Sequence, residues 1–137
     1  MKKHITFMMA VMLTISAGMI FGQSNKTSTE VLYFKANLCK CKAGACNALQ
    51  ADVDSVIVKY FQKENIEFKV IKLADEANKE LVSRFNAKSQ TVVIISKKKK
   101  KENVIDASAI VADYSKTKDK VRFEAEMRKK ISESLVF

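Results

Sequence analysis

Apolar and polar residues alternate along the chain with two different periods, which distinguishes strands from helices. Four short runs rich in β-branched or aromatic residues predict β-strands, at residues 30–35, 66–73, 91–96 and 102–106. Other apolar residues recur at spacings of three and four, which is typical of amphipathic helices, at about residues 46–63, 76–86 and 118–135. The segment from Ala107 to Tyr114 fits neither period.

The order of these elements predicts an α/β fold. Strands that alternate with helices favour parallel pairing, and the last two strands follow one another closely enough to form an antiparallel hairpin. We therefore expect a three-layer sandwich, with a central mixed four-stranded sheet flanked by helices. Asp75 is placed to cap the second helix. The five lysines Lys97 to Lys101 should form an exposed hairpin loop between the last two strands.

The first 22 residues have the layout of a secretory signal peptide. Lys2 and Lys3 precede an almost wholly apolar run at residues 5–21, and small and polar residues follow at Gly22-Gln23-Ser24. The apolar run is shorter than the ~20 residues that a spanning helix needs. We predict cleavage just before Gln23 or Ser24, and a single domain at residues 23–137. The protein should be exported, to a bacterial periplasm, with membrane contact only through the signal segment before cleavage.

Removal of the signal peptide changes the chemistry that the chain can perform. His4 is the chain's one histidine, so the mature protein would have none, which excludes Ser-His and Cys-His catalysis and histidine metal ligands. Without Lys2 and Lys3, 23 of the 25 basic residues remain against 15 acidic ones. The lysines are scattered and are not interleaved with aromatic residues for base stacking. The composition therefore favours a solvated basic surface, and no nucleic-acid partner is expected.

All three cysteines, Cys39, Cys41 and Cys46, lie between the first predicted strand and the first predicted helix. Thiolates are the chain's only soft nucleophiles and its only good soft-metal ligands. Cys46 continues the apolar face of the helix, so it should be buried in the first turn. Cys41 should be the partner able to approach it, with the help of a bend at Gly44, and Cys39 should lie nearer the loop surface.

The element order, with cysteines between the first strand and the first helix, resembles the thioredoxin fold. More closely, the chain resembles an exported bacterial family of thioredoxin-like proteins named for a nitrophenyl-compound nitroreductase subunit. The matching stretches cover almost the whole mature chain: Val31–Phe34, the spacing from Cys46 to Tyr60-Phe61, Phe68–Ile71, the lysine hairpin leading to Asp106, and Asp113-Tyr114. The resemblance implies a small redox or accessory domain.

Two departures from the thioredoxin pattern concern the expected site itself. Thioredoxin-like proteins typically carry Cys-x-x-Cys, whereas this chain has Cys39-x-Cys41 followed, after four residues, by Cys46. The family also places a cis-proline before the third strand. This chain has no proline, and Gln90 precedes Thr91 at the corresponding place. The missing proline weakens the case for an ordinary disulfide reductase and strengthens the case for metal binding.

Three functions remain open at this point. The first is a cofactor-free thiol–disulfide oxidoreductase, in which Cys41 or Cys39 attacks protein thiols, disulfides or a redox partner protein and Cys46 resolves the mixed disulfide. The second is a carrier in which Cys39, Cys41 and Cys46 bind copper(I), zinc or trivalent arsenic as arsenite. The third is a non-catalytic binding domain in which one structural disulfide stabilises the fold.

Overall fold

A mixed four-stranded sheet forms the centre of the protein. The structure, a computed structural model, describes residues 27–37 and 40–137, except for the side chains of residues 40–43. The predicted signal peptide therefore lies outside the described residues. The strands are β1 (Ser28–Lys35), β2 (Ile66–Lys72), β3 (Val92–Lys98) and β4 (Lys101–Asp106), in the order β2-β1-β3-β4. β1 is parallel to β2 and antiparallel to β3, and β3 is antiparallel to β4.

In the described part of the chain, four α-helices cover the two faces of this sheet. They are α1 (Lys40–Tyr60), α2 (Lys79–Arg84), α3 (Ser108–Thr117) and α4 (Lys120–Leu135), and a 3₁₀ turn at Glu76–Asn78 leads into α2. The predicted three-layer α/β sandwich is confirmed. Among the described residues, none of the helices combines the length and apolarity that crossing a membrane requires.

β1 is the central element because both of its faces are buried. Val31 and Tyr33 point into the larger core, which α1, α3 and α4 complete with side chains such as Val53 and Met127. Leu32 and Phe34 alternate with them and join the smaller core under α2. This alternation is the period-two geometry of a strand, and an apolar run on both faces is typical of a strand enclosed by helices.

Helix α1 begins at Lys40, so the prediction that it starts at about Cys46 is wrong. The residues from Lys40 to Ala45 are two lysines, one cysteine, two alanines and one glycine. Lysine and alanine favour helix, and only Gly44 disfavours it, by about 1 kcal/mol relative to alanine. The space around Gly44 is open, because a Cβ there would have no atom within 4 Å. Most of the cysteine segment, which the sequence suggests is a loop, therefore forms the first turn and a half of α1.

The remaining differences between the predicted and the observed elements concern one additional helix and the helix caps. The ambiguous segment after β4 forms α3, which extends to Thr117. Asp75 does precede the first helical turn after β2, but its side chain makes no capping hydrogen bond. Asp119 caps α4 instead, with its carboxylate accepting a hydrogen bond from the Arg122 backbone N–H at 3.0 Å.

The lysine run occupies the tip of the β3–β4 hairpin. Lys98 pairs with Lys101, which leaves Lys99 and Lys100 as the two turn residues. All five lysines from Lys97 to Lys101 are exposed, as predicted. Lys99 has a φ of 56°, in the left-handed region that glycine and asparagine occupy more readily than lysine.

Candidate thiol site

Cys46 carries a free thiol that is buried, with 2 % of the residue exposed. Its predicted burial is confirmed. Its predicted position in the first turn of the helix is wrong, because α1 begins six residues before it and Cys46 falls in the second turn. Cys46 lies one turn before Leu49, at the start of the face of α1 that packs on the sheet.

The segment before β3 brings polar side chains onto the sulfur of Cys46. The Gln90 backbone N–H donates to the Phe34 carbonyl at 2.8 Å, and the Phe34 N–H donates to the Thr91 carbonyl at 2.9 Å. These bonds hold the segment against the end of β1. The Gln90 side-chain Nε2 then donates to Cys46 Sγ at 3.5 Å, and Ser89 Oγ lies 4.0 Å from the same sulfur.

Gln90 itself has a backbone conformation that few side chains adopt. Its φ is 69°, in the left-handed region, and no peptide bond among the described residues is cis. Gln90 thus stands next to the thiol, at the place where the sequence comparison with thioredoxins expects a cis-proline, but it reaches that place through a trans bond. It presents an N–H donor to the sulfur, which a proline could not do.

Tyr33, on the central strand β1, contacts the backbone of Cys46. Its hydroxyl donates to the Cys46 carbonyl at 3.2 Å. Burial raises the pKa of the Tyr33 phenol well above its ordinary value, and the neighbouring Cys46 sulfur adds to that shift. The phenol therefore remains a neutral hydrogen-bond donor at physiological pH, and it fixes the second turn of α1 to the sheet.

A lysine, Lys35, lies at the rim of the site. Lys35, the last residue of β1, donates hydrogen bonds to the side chains of Asn47 and Gln50 on α1. Asn47 is exposed and directly follows Cys46 in the helix. The buried thiol therefore lies beside an exposed, polar part of α1 that Lys35 of β1 contacts.

The two other predicted site residues lie partly or wholly outside the described residues. Cys39 is not described, and for Cys41 the structure gives only the backbone, within the first turn of α1. Five residues along an α-helix correspond to a rise of about 7.5 Å. A disulfide requires Cα atoms within about 7 Å of one another. A bond between Cys41 and Cys46 therefore requires the first turns of α1 to open.

The predicted metal site of Cys39, Cys41 and Cys46 depends on the same two undescribed side chains. Within the part of the chain that the structure describes, no three histidine, cysteine, aspartate or glutamate side chains come together as metal ligands. In that part, the amide nitrogen of Gln90 lies 3.5 Å and the hydroxyl of Ser89 lies 4.0 Å from the Cys46 sulfur.

A second polar cluster, which the sequence did not predict, connects helices α1, α3 and α4. Asp52 accepts hydrogen bonds from the Tyr114 hydroxyl at 3.1 Å and from Lys120 Nζ at 3.3 Å. Burial, followed by the Asp52 carboxylate, raises the pKa of Tyr114. Because three helices contribute one side chain each, we assign this cluster a structural role.

Comparison with known proteins supplies no family for this chain. No family model matches it, and no curated protein matches it. Among solved structures, it is similar to a chain described as the structure of a malarial protein, with 23% identity and a TM-score of 0.37. The match covers 66% of this chain and 99% of the other. The fold places the protein in the class of α/β sandwiches. The described feature that bears on its function is the thiol site.

Proposed function

We propose that the protein is an exported thiol–disulfide redox domain of the thioredoxin-like kind, in which Cys46 is the buried resolving thiol. The observation that carries this proposal is the position of Cys46. Its free thiol lies near the start of α1, beneath the turn that precedes β3, and it receives an amide N–H on its sulfur. Two more cysteines lie within seven residues of it in the sequence.

The proposed reaction is two successive thiol–disulfide exchanges. A thiolate at Cys41, or at Cys39, attacks one sulfur of a substrate disulfide, which breaks that bond, forms a mixed disulfide and releases one substrate thiolate. The Cys46 thiolate then attacks the mixed disulfide, forms an internal disulfide and releases the second substrate thiolate. Two electrons pass from the two cysteines to the substrate, and solvent carries the two protons. A reducing partner protein or small thiol restores the dithiol form.

The second exchange requires the start of α1 to move. Cys41 and Cys46 are too far apart along an intact helix for a disulfide. Gly44 lies between them, has open space around it and costs the helix about 1 kcal/mol relative to alanine. Local opening of the helix at Gly44 would shorten the distance between the two cysteines and would also expose the buried Cys46 sulfur to its partner.

The test is a set of single substitutions assayed with a generic disulfide substrate. Cys41→Ser and Cys46→Ser should each abolish turnover, while Cys39→Ser should leave much of it. Gly44→Ala is the matched probe of the helix opening. It should stabilise the helix and slow the exchange, because the dithiol then reaches the disulfide geometry less often. Turnover that survives Cys46→Ser would contradict the proposal.

A soft-metal carrier is the second candidate, because a shared metal ion lets the sulfurs lie farther apart than a disulfide does. Sulfurs that share a zinc ion, each about 2.3 Å from the metal, are farther apart than the ~2.05 Å of a disulfide. A metal-bridged pair therefore demands less distortion of α1. In this case Cys39→Ser, Cys41→Ser and Cys46→Ser should all weaken binding, and stoichiometric copper(I), zinc or arsenite should protect the thiols from alkylation.

The remaining alternative is a binding domain with one structural disulfide. It predicts that a single serine substitution lowers the melting temperature in the oxidised protein and changes no exchange reaction or metal binding. The same set of variants therefore separates all three functions.

A further inference from the structure

A groove lies between the end of α1 and the first half of α4, and it encloses about 400 Å³. Along α1, the rise from Cys46 to Tyr60, which lines the groove, is about 21 Å. The groove is therefore separate from the thiol site, and a ligand that binds here would not need the thiol chemistry. Its charged lining residues are three cations and one carboxylate: Lys59, Lys120, Arg128 and Glu124.

Two of the three cations already have carboxylate partners. Lys59 Nζ lies 2.9 Å from the Glu124 carboxylate, and Lys120 Nζ lies 3.3 Å from that of Asp52. The Tyr60 hydroxyl donates to Glu124 at 2.6 Å, and this bond, followed by Lys59, lowers the pKa of the Glu124 carboxyl. Glu124 therefore stays ionised at neutral pH, and the charges of Lys59 and Lys120 are largely balanced within the protein.

Arg128 differs from the chain's two other arginines. Arg84 and Arg122 both form ion pairs with carboxylates. Within residues 27–37 and 40–137, no carboxylate pairs with Arg128, which is exposed. Its guanidinium carbon instead lies 4.2 Å from the centre of the Tyr60 ring. This cation–π contact restrains the side chain at the wall of the groove, so less side-chain entropy is lost when the guanidinium binds an anion.

An uncovered apolar strip lies beside Arg128. Val121 lines the groove and is 83% exposed, which is unusual for a branched apolar side chain. Ala125 is one helical turn later on the same face of α4, and it is exposed as well. The groove thus combines one cation that lacks a carboxylate partner with apolar surface that a ligand could remove from water.

We infer that this groove is a docking site for an acidic segment of a partner protein. One carboxylate of that segment pairs with Arg128, and a neighbouring apolar side chain of the same segment covers Val121 and Ala125. Charge complementarity supports this occupant. Carboxylates match the two-pronged donor geometry of a guanidinium, and the formal net charge of the chain, +10, attracts acidic partners and speeds their encounter.

A nucleic acid fits the groove less well than an acidic protein segment. Its successive phosphates would meet the ionised Glu124, and like charges repel. Bases would also need an open aromatic face on which to stack. Tyr60 is the aromatic residue that lines the groove, and its ring already has Lys59 Nζ at 4.8 Å and the Arg128 guanidinium at 4.2 Å from its centre.

The experiment titrates isotope-labelled protein, residues 23–137, with short peptides and follows its amide NMR signals under reducing conditions. The probe is a peptide of alternating glutamate and leucine. A glutamine–leucine peptide lacks the charge, and a glutamate–serine peptide lacks the apolar side chains. The signals report both the affinity and the residues contacted. A short single-stranded oligonucleotide is titrated in parallel as the competing ligand class.

The glutamate–leucine peptide should bind more tightly than either control peptide and should shift signals of α4 around Arg128. Arg128→Gln should weaken its binding about 5-fold, and Arg128→Lys should weaken it less, because the charge remains while the fork is lost. Val121→Ser should weaken it about 3-fold through the lost apolar contact. Lys129→Gln is the matched control, since it removes the same charge from an exposed neighbour outside the groove lining. It should change the affinity by less than about 2-fold.

Four results would overturn the inference. The first is no binding of the glutamate–leucine peptide, and the second is equal binding of the glutamine–leucine peptide. The third is an equal loss of affinity in Lys129→Gln and Arg128→Gln, which would show attraction to the basic surface in general. The fourth is tighter binding of the oligonucleotide to the same residues. Because no cysteine takes part, a failure here leaves the redox proposal untouched, and a failure of disulfide turnover leaves these affinities unchanged.

Discussion

The hydroxyl of Tyr33 donates a hydrogen bond to the main-chain carbonyl of Cys46 at 3.2 Å, and it thereby joins the central strand to the helix that carries the thiol. Tyr33 is fully buried, and its strand is paired on both sides. The bond therefore connects the second turn of α1 to the most constrained element of the fold.

Removing this hydroxyl should destabilise the protein. Tyr33→Phe keeps the packed ring and loses one buried hydrogen bond, so the free energy of unfolding should fall by about 0.5–1.5 kcal/mol. Urea unfolding at neutral pH measures the change. Tyr114→Phe is the matched control, because Tyr114 is half-buried and its hydroxyl donates to Asp52. It should lower the free energy of unfolding by less than Tyr33→Phe does, because solvent reaches that cluster.

Tyr33 should also make stability depend on alkaline pH. Burial raises the pKa of this phenol above its ordinary value of 10.0, so the folded protein retains a proton that the unfolded chain releases. The stabilising contribution is complete below pH 10 and is lost as the pH rises above it. Unfolding midpoints measured from pH 8 to pH 11 should therefore fall less steeply for Tyr33→Phe than for the parent. Equal slopes would show that the phenol titrates normally.

Lys118 should be a site where glycine stabilises the protein. It ends α3 with a φ of 58°, and its N–H donates to the Tyr114 carbonyl at 2.9 Å. Glycine is the residue that favours this C-terminal position, so Lys118→Gly should raise the free energy of unfolding by about 0.4–1 kcal/mol. Lys116→Gly, two residues earlier and inside the helix, should lower it by a similar amount. A change of the same sign in both variants would contradict the assigned backbone conformation.

The exposed lysines of the hairpin should contribute little to stability. Lys97 approaches Glu30 at 3.9 Å and Lys98 donates to the Phe137 carbonyl oxygen, and such surface contacts are worth at most about 1 kcal/mol each and often nothing. Replacing Lys97, Lys98, Lys100 and Lys101 by serine should change the free energy of unfolding by less than ~0.5 kcal/mol per site. A large loss of function in a folded variant would instead favour an anionic partner.

Helix α4 offers a direct test of the larger core. Met127 is fully buried there, whereas Val121 on the same helix is 83% exposed. Met127→Ala should cost about 2–5 kcal/mol by leaving a cavity, and Val121→Ala should stay within about 0.5 kcal/mol. Thermal or urea unfolding of the two variants side by side measures the difference.

The strands were predictable because their apolar runs are short, β-branched and bounded by polar residues. β1 and β3 are each buried on both faces, so their sequences are apolar almost throughout, and their positions were predicted to within two residues. α3 was not predicted because only one of its residues, Val111, is fully buried. Its short helix therefore shows no extended apolar stripe. The start of α1 was not predicted because the cysteines and Gly44 suggested a loop, although the alanines and lysines around them favour a helix.

The candidate site was predictable only in part. The burial of Cys46 followed from its spacing to the apolar face of α1. Its contact with Gln90 joins residues that are 44 positions apart. That contact depends on the pairing of β1 with β3 and on a left-handed residue before β3, neither of which a local pattern reveals. The sequence places Gln90 where the resemblance to thioredoxins implies a cis-proline, but nothing in the sequence indicates that its amide reaches the sulfur.

The most direct test of the redox proposal is a map of the cysteine bonds in the mature protein after equilibration with reduced and oxidised glutathione. Alkylation of free thiols, followed by peptide mass spectrometry, identifies the pairs. The proposal predicts a reversible internal disulfide that contains Cys46, with Cys41 as its partner and Cys39 largely free. A Cys46 that remains a free thiol under oxidising conditions, while the protein stays folded, would contradict it.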